Sequence, residues 1–161
     1  MYNSKMIEKI QKDIKQYEAT AINYCKETKK NLIEVVLVTA EWCVPCRQTK
    51  EFLLTLNINN QKNILMVIAA MELYIKNEFP KLESAPIIFC LYDVDESPES
   101  VKKLEQENQM QIRGIPYFCI RMRTPNGVGK ILVDHRGSLT NMQQLRDFLV
   151  SGIKKANEQC A

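Results

Sequence analysis

The sequence predicts an α/β domain built on a mixed β-sheet, and two features of its pattern support this prediction. Short apolar runs rich in β-branched residues alternate with longer segments whose apolar residues recur every three or four positions. These are the patterns of buried strands and of amphipathic helices. The early strand-like segments are separated by helices, whereas the last two are joined by a short turn, so the sheet should contain both parallel and antiparallel pairs.

The composition is that of one soluble globular domain. The chain has 161 residues, of which 45% are hydrophobic and 25% charged, and its net charge is +3. Charges of both signs are interspersed, which argues against a nucleic-acid partner. The N-terminus lacks the apolar run of a signal peptide, and the longest apolar stretch, 64–75, has about half the length that a membrane span needs. We therefore expect a single cytoplasmic domain over 1–161 with no membrane span.

The first half of the chain predicts a helix, a strand and two further helices. Apolar side chains at three- and four-residue steps predict a long helix in an N-terminal extension, 1–31. Residues 33–40, IEVVLVTA, are apolar and β-branched, as a strand covered on both faces should be. A helix over 46–57 follows, and another over 62–79 ends before Pro80.

The second half predicts three strands and two helices. The strands cover 86–95, 115–123 and 130–135, and the helices begin near Ser97 and Thr140. Ser97 precedes a proline at the first helical position, and Thr140 has the capping-box spacing to Gln143. The turn 124–127, TPNG, joins the last two strands into a hairpin. The expected sheet has four strands and helices on both faces.

Two cysteines directly follow the first predicted strand and open the next helix. In a first helical turn, residues at the spacing of Cys43 and Cys46 lie on one face, close enough for a disulfide. The free N–H groups and the positive end of the helix dipole favour a thiolate at Cys43, which is therefore the expected nucleophile. Cys46, one turn further on, would attack the mixed disulfide that results.

A metal site is the alternative interpretation of this pair. Zinc would need two further ligands, and the chain has one histidine and no second pair of cysteines at this spacing. A cluster shared between two copies of the motif would be rarer still. We therefore predict no metal and no other cofactor. The remaining cysteines are expected to be free thiols: Cys25, Cys90, Cys119 and Cys160.

Three motifs, in this order, give the chain its resemblance to the thioredoxin family. The segment AEWCVPCR, 40–47, resembles the family's active site, and IRGIP, 112–116, resembles the loop that holds a cis-proline beside the dithiol. The segment 135–149 is similar to the family's last strand, glycine and helix. The match runs from about 33 to 152. It implies a three-layer α/β/α thioredoxin-like fold with an extra N-terminal helix and a helical insertion, 57–82, after the active-site helix.

The resemblance also implies an activity, the reduction of protein disulfides, and a role for each site residue. Cys43 would be the attacking thiol and Cys46 the resolving thiol of a redox-active disulfide. The implied substrate-binding residues are Trp42, Val44, Pro45, Ile115 and Pro116. The Ile115–Pro116 peptide bond would be cis, with the backbone of Ile115 pairing with the substrate chain. The implied partners are protein disulfides and a reductase that regenerates the dithiol.

The sequence departs from the family pattern in two places. The buried aspartate behind the dithiol and its lysine partner fall on Leu37 and Leu91, so both charges are missing together. Glu34 lies too far back on the strand to replace them. The inserted helix, 62–79, is apolar on nearly all sides, so it packs into the domain's own core or contacts a partner protein. The alternative function is therefore a non-catalytic thioredoxin-fold subunit or scaffold in a larger assembly.

Overall fold

The computed structural model describes residues 22–58, 61–82 and 85–159. Within these ranges a mixed sheet of five strands is flanked by helices. The strands are β1 (Leu32–Thr39), β2 (Ile87–Asp93), β3 (Tyr117–Thr124), β4 (Gly127–Val128) and β5 (Val133–Arg136). The helices are α1 (22–28), α2 (Val44–Ile58), α3 (Gln61–Glu78), α4 (Pro98–Glu107) and α5 (Met142–Gln159), with a 3₁₀ turn at Pro80–Leu82.

The sheet combines parallel and antiparallel pairs, as the order of elements predicts. The first strand, β1, pairs in parallel with β2 and antiparallel with β3. On its other side, β3 pairs antiparallel with both β4 and β5. All residues of β1 are buried, which explains why its sequence is apolar on both faces. The predicted α/β class and mixed sheet are confirmed.

Helices form one layer on each face of the sheet. Side chains of α2, α3 and α5 pack on the face of β1 that presents Val35 and Leu37. The opposite face, which presents Val36, is covered by α4. The short helix α1 packs on that same face, where Cys25 contacts Leu32. The predicted three-layer thioredoxin-like arrangement is confirmed.

The strand predicted over 130–135 is interrupted, so the predicted four-stranded sheet is observed with its last strand divided into two short strands, β4 and β5. The N–H groups of Gly129 and Leu132 still donate to carbonyl oxygens of β3, each at 2.8 Å. The N–H of Ile131 instead turns out of the sheet to Oδ1 of Asn108 at the end of α4, at 2.7 Å. Between the pairs Arg123–Val128 and Ile120–Val133 the outer strand has two residues more than β3, and this β-bulge separates β4 from β5.

The helix caps lie close to their predicted positions. Ser97 is the N-cap of α4, although its side chain makes no capping hydrogen bond. At α5 the capping box is shifted by one residue from the predicted Thr140–Gln143 pair. Oδ1 of Asn141 accepts from the N–H of Gln144 at 2.8 Å, and the Gln144 side chain accepts from the N–H of Thr140 at 3.3 Å. Asparagine replaces the expected threonine as the cap, and the glutamine bonds to the N–H of the residue before it.

Helix α3, which falls within the predicted insertion, contributes to the core of the domain. Met71 and Ile75 are buried against the sheet, whereas Leu73 points outward with 59% of its surface exposed. Most of the predicted extension, 1–31, lies outside the described residues. The division of the chain into this extension and an insertion over 57–82 stays a prediction.

Gly152 marks the closest approach of α5 to β3. A Cβ atom at this position would lie 2.9 Å from Cγ2 and 3.1 Å from Cβ of Ile120, and closer still to its Cδ1. We expect Gly152→Ala to lower the free energy of unfolding by about 1–3 kcal/mol, because this overpacking outweighs alanine's better helix propensity. Urea denaturation measures the effect. The exposed neighbour Ser151→Ala is the control, and equal stability of both variants would contradict the close packing.

Candidate active site

The dithiol lies at the junction of β1 and α2. Cys43 directly precedes α2, Cys46 lies in its first turn, and the two are joined by a disulfide with their Cα atoms 5.2 Å apart. Sγ of Cys43 also accepts the backbone N–H of Cys46 at 3.2 Å. Cys46 is fully buried, whereas 6% of Cys43 is exposed. Cys43 is therefore the sulfur that a large substrate can reach first.

The loop that precedes β3 lies beside the disulfide. Its Ile115–Pro116 peptide bond is cis, as the resemblance implies. The carbonyl oxygen of Ile115 lies 3.7 Å from Sγ of Cys43. Pro116 is buried and Ile115 is half-buried. The structure thus brings two segments about seventy residues apart in the chain together at one point.

Exposed apolar side chains surround Cys43. Trp42 is 66% exposed and Val44 is 53% exposed, and Pro45 also faces solvent. The indole N–H of Trp42 donates to Oδ2 of Asp95 at 3.0 Å, which links the ring to the loop after β2. These side chains form a platform next to the disulfide; that they bind substrate stays a prediction.

The two positions at which the family pattern has a buried charged pair are apolar. Leu37 and Leu91 are register partners on β1 and β2, and both lie in the main core. Glu34 faces the opposite side of β1, because side chains alternate along a strand. It therefore does not replace the missing aspartate, in agreement with the sequence analysis.

Three buried polar side chains near this end of the sheet were not singled out in the sequence. Lys50 is 5% exposed, and its Nζ donates to Oε1 of Glu41 at 3.3 Å. The hydroxyl of Thr39 is buried and has no hydrogen-bond partner in the described part of the chain. Asp93, the register partner of Thr39, is 4% exposed and accepts two backbone N–H groups at 2.8 and 3.1 Å. The one sequence signal for Lys50 is its position four residues after Cys46, on the same helix face.

The opposite face of the sheet carries a buried ionic cluster that the sequence analysis missed. Oε1 of Glu34 accepts from Nε of Arg121 at 2.8 Å, and Oε2 accepts from Nε of Arg123 at 2.6 Å. Arg121 also donates to the hydroxyl of Tyr92 at 3.0 Å. Burial acts to lower the pKa of Arg121, but the Glu34 carboxylate raises this pKa above its ordinary value, so the guanidinium stays charged. Arginines at alternate positions of a buried strand were the available signal.

The other described cysteines are buried thiols: Cys25, Cys90 and Cys119. Burial raises the pKa of Cys119 to about 12 and also raises that of Cys25. Both thiols are therefore protonated at neutral pH and poor nucleophiles. Cys160 lies outside the described residues. Within the described ranges, no cluster of histidine, cysteine and acidic side chains could hold a metal, and no helix is long and apolar enough to cross a membrane.

Comparisons with known proteins identify similar structures but no matching sequence family. No protein-family model matches the sequence, and no curated protein matches it.

The similar solved structures include a thioredoxin from Trichomonas vaginalis, with 19% identity, a TM-score of 0.42, and coverage of 89% of this chain and 90% of that one. Mitochondrial thioredoxin 3 from Saccharomyces cerevisiae has 23% identity, a TM-score of 0.39, and coverage of 82% and 86%. A Trypanosoma brucei brucei thioredoxin has 20% identity, a TM-score of 0.41, and coverage of 85% and 86%. Because these TM-scores are below 0.5, the thioredoxin-like assignment rests on the chain's own sheet order, its disulfide and its cis-proline.

Proposed function

We propose that the protein is a thiol–disulfide oxidoreductase that reduces protein disulfides. One observation carries this proposal: the disulfide of Cys43 and Cys46 joins an accessible sulfur to a fully buried one at a helix N-terminus. A purely structural disulfide would have no need of an exposed apolar platform and a cis-proline loop beside it. The arrangement suits a pair of cysteines whose disulfide forms and breaks during the reaction.

The first step of the proposed reaction uses Cys43. In the disulfide form Sγ of Cys43 accepts the N–H of Cys46 and lies at the positive end of the dipole of α2, and both effects would favour a thiolate at Cys43 in the reduced protein. The thiolate attacks one sulfur of the substrate disulfide, and that S–S bond breaks. The substrate's second sulfur leaves as a thiolate and takes up a proton from water, so Cys43 is left in a mixed disulfide with the substrate.

The second step uses Cys46. Its thiol loses a proton, and its sulfur attacks Sγ of Cys43 in the mixed disulfide. The bond between Cys43 and the substrate breaks, the substrate leaves as a thiolate that is then protonated, and the Cys43–Cys46 disulfide forms. Two electrons have moved from the protein to the substrate. A dithiol or a reductase must return them before the next cycle, and a compartment that keeps thiols reduced, such as the cytoplasm, suits this role.

The substrate is proposed to bind as an extended peptide. Its backbone would pair with that of Ile115, and its neighbouring side chains would contact Trp42, Val44 and Pro45. The proximity of Ile115 to Sγ of Cys43, 3.7 Å from its carbonyl oxygen, supports this assignment. Pro116 would hold the loop in the shape that presents Ile115.

A redox titration tests the proposal. The protein is equilibrated at graded ratios of reduced to oxidised dithiothreitol, its thiols are alkylated, and the masses are read. A midpoint near about −270 mV, the value of thioredoxin, would support a reductant that a reductase recharges. A midpoint near about −120 mV would contradict the reducing direction. If no disulfide forms at any ratio, the catalytic proposal fails altogether.

The second candidate is a non-catalytic thioredoxin-fold subunit of a larger assembly. The apolar pair Leu37 and Leu91 supports it, because proton transfer behind the dithiol lacks its usual group. The exposed side chain of Leu73 on α3 also fits a partner protein at the predicted helix 62–79. Size-exclusion chromatography discriminates the two: a stable monomer with redox activity weakens the subunit hypothesis, whereas a tightly held partner supports it.

A further inference from the structure

The buried lysine of α2 has no assigned function. Lys50 is 5% exposed, although lysine is among the residues least often buried. It lies four residues after Cys46, so both side chains occupy the same face of the helix. The buried lysine and the proposed resolving cysteine are thus neighbours on one face of the helix.

The ion pair with Glu41 shows where the Lys50 ammonium lies. Helical side chains point toward the N-terminus of their helix, and four residues correspond to a rise of about 6 Å, a distance that a lysine side chain can span. Glu41 precedes Cys43 in the chain, and its Oε1 lies 3.3 Å from Nζ of Lys50. The ammonium therefore lies near the N-terminal end of α2, the end of the helix that carries the disulfide.

The surroundings strengthen any charge interaction at this point. Cys43 and Cys46 form a buried cluster with Ala40, against which Val94 and Ile115 pack, and electrostatic interactions are stronger where water is excluded. The buried hydroxyl of Thr39, without a hydrogen-bond partner in the described residues, is a second polar group at this end of the sheet. The other charged groups of the neighbouring segments are Arg47 and Glu51 on α2, Asp93, Asp95 and Glu96 at and after the end of β2, and Arg113 in the cis-proline loop.

We propose that the Lys50 ammonium stabilises the thiolate of the reduced dithiol, above all the thiolate that forms at Cys46 during the resolving step. The exposed Glu41 carboxylate partly offsets the positive charge of this ammonium. Lys50 touches no substrate, so it is a positioning residue that acts through Cys46. This role rests on the proposed function, in which the Cys46 thiol must lose a proton to solvent before its sulfur displaces the substrate.

The test measures the thiolates of the reduced protein directly. Ultraviolet thiolate absorbance is recorded against pH, and the apparent pKa values are assigned to the pair of cysteines, since coupled groups titrate together. Lys50→Met is expected to raise these values by about one unit, because it removes a nearby positive charge. At neutral pH it should also shift the equilibrium with glutathione about threefold toward the protein disulfide, since the reduced form loses stabilisation. Lys50→Arg should keep most of both properties.

Glu41→Gln provides an independent variant with the opposite sign. Glu41 is exposed, so its replacement should leave folding intact, and removal of its negative charge should lower the apparent thiol pKa values. Lys102→Met, an exposed lysine on α4, is the control and should change neither measurement. Circular dichroism checks that each variant is folded.

The outcomes separate this inference from the proposed function. If folded Lys50→Met leaves the thiol pKa values and the glutathione equilibrium unchanged, the role of Lys50 is overturned. If Lys50→Met does not fold, unchanged pKa values in Glu41→Gln overturn it instead. A wild-type protein that forms no disulfide in any buffer defeats the proposed function, and the thiolate titration of the reduced protein still decides the role of Lys50.

Discussion

Cys43→Ser is expected to reduce the rate of protein-disulfide reduction at least about a thousandfold, to that of the uncatalysed exchange. The serine hydroxyl is not ionised at neutral pH, and Cys46 is fully buried, so it cannot replace Cys43 as the attacking group. Reduction of insulin by dithiothreitol, followed by turbidity, is a suitable assay.

Cys46→Ser is the matched variant for this prediction. The first step should still occur, but the mixed disulfide should persist, because no second sulfur is in position to resolve it. Mass spectrometry should detect a covalent adduct between Cys43 and the substrate. If Cys43→Ser keeps full reductase activity, the assignment of the nucleophile is wrong. If both variants still bind a partner protein and neither changes the rate of disulfide reduction, the subunit hypothesis gains support.

Glu34→Gln is expected to lower the free energy of unfolding by about 3–5 kcal/mol, because it leaves two buried guanidinium groups without their shared carboxylate. The side chain of Glu34 is fully buried, so water does not screen the loss. Urea denaturation gives the size of the effect. The folded fraction should keep its redox activity, because the ionic cluster lies on the face of the sheet opposite α2, the helix that carries Cys46.

Two controls define this second prediction. Glu158→Gln breaks an exposed pair with Lys155, 3.5 Å away, and should cost less than about 1 kcal/mol. A triple variant that replaces Glu34, Arg121 and Arg123 by leucine should recover most of the stability, because apolar side chains of similar size need no charge partner. Equal, small losses in Glu34→Gln and Glu158→Gln would show that the cluster contributes little.

Local patterns were sufficient to predict the elements that form the candidate site. The β-branched run of β1, followed at once by Cys43 and Cys46, placed the dithiol at a helix N-terminus. The resemblance of the loop around Pro116 predicted the cis bond and its position. These features depend on residues close together in the chain, or on a motif, so the sequence contains their signal directly.

Features that depend on contacts between distant segments were not predictable in the same way. The bulge before β5 exists because Ile131 bonds to Asn108, more than twenty residues earlier. The burial of Lys50 depends on how α2 packs and on the position of Glu41. The pairing of Glu34 with Arg121 depends on the register of two strands far apart in the chain. No local pattern specifies any of these three.

The ionic cluster has a consequence for how the two halves of the candidate site are aligned. If β3 shifted by one residue along β1, Arg121 and Arg123 would turn to the opposite, apolar face of the sheet. Glu34 would keep its position, and the three side chains would no longer pair with one another. The same slip would move the cis-proline loop by about 3.4 Å relative to the strand that leads to Cys43. Side chains on the far face of the sheet thus help to align the candidate site, because the register that pairs their charges also places Ile115 beside Sγ of Cys43.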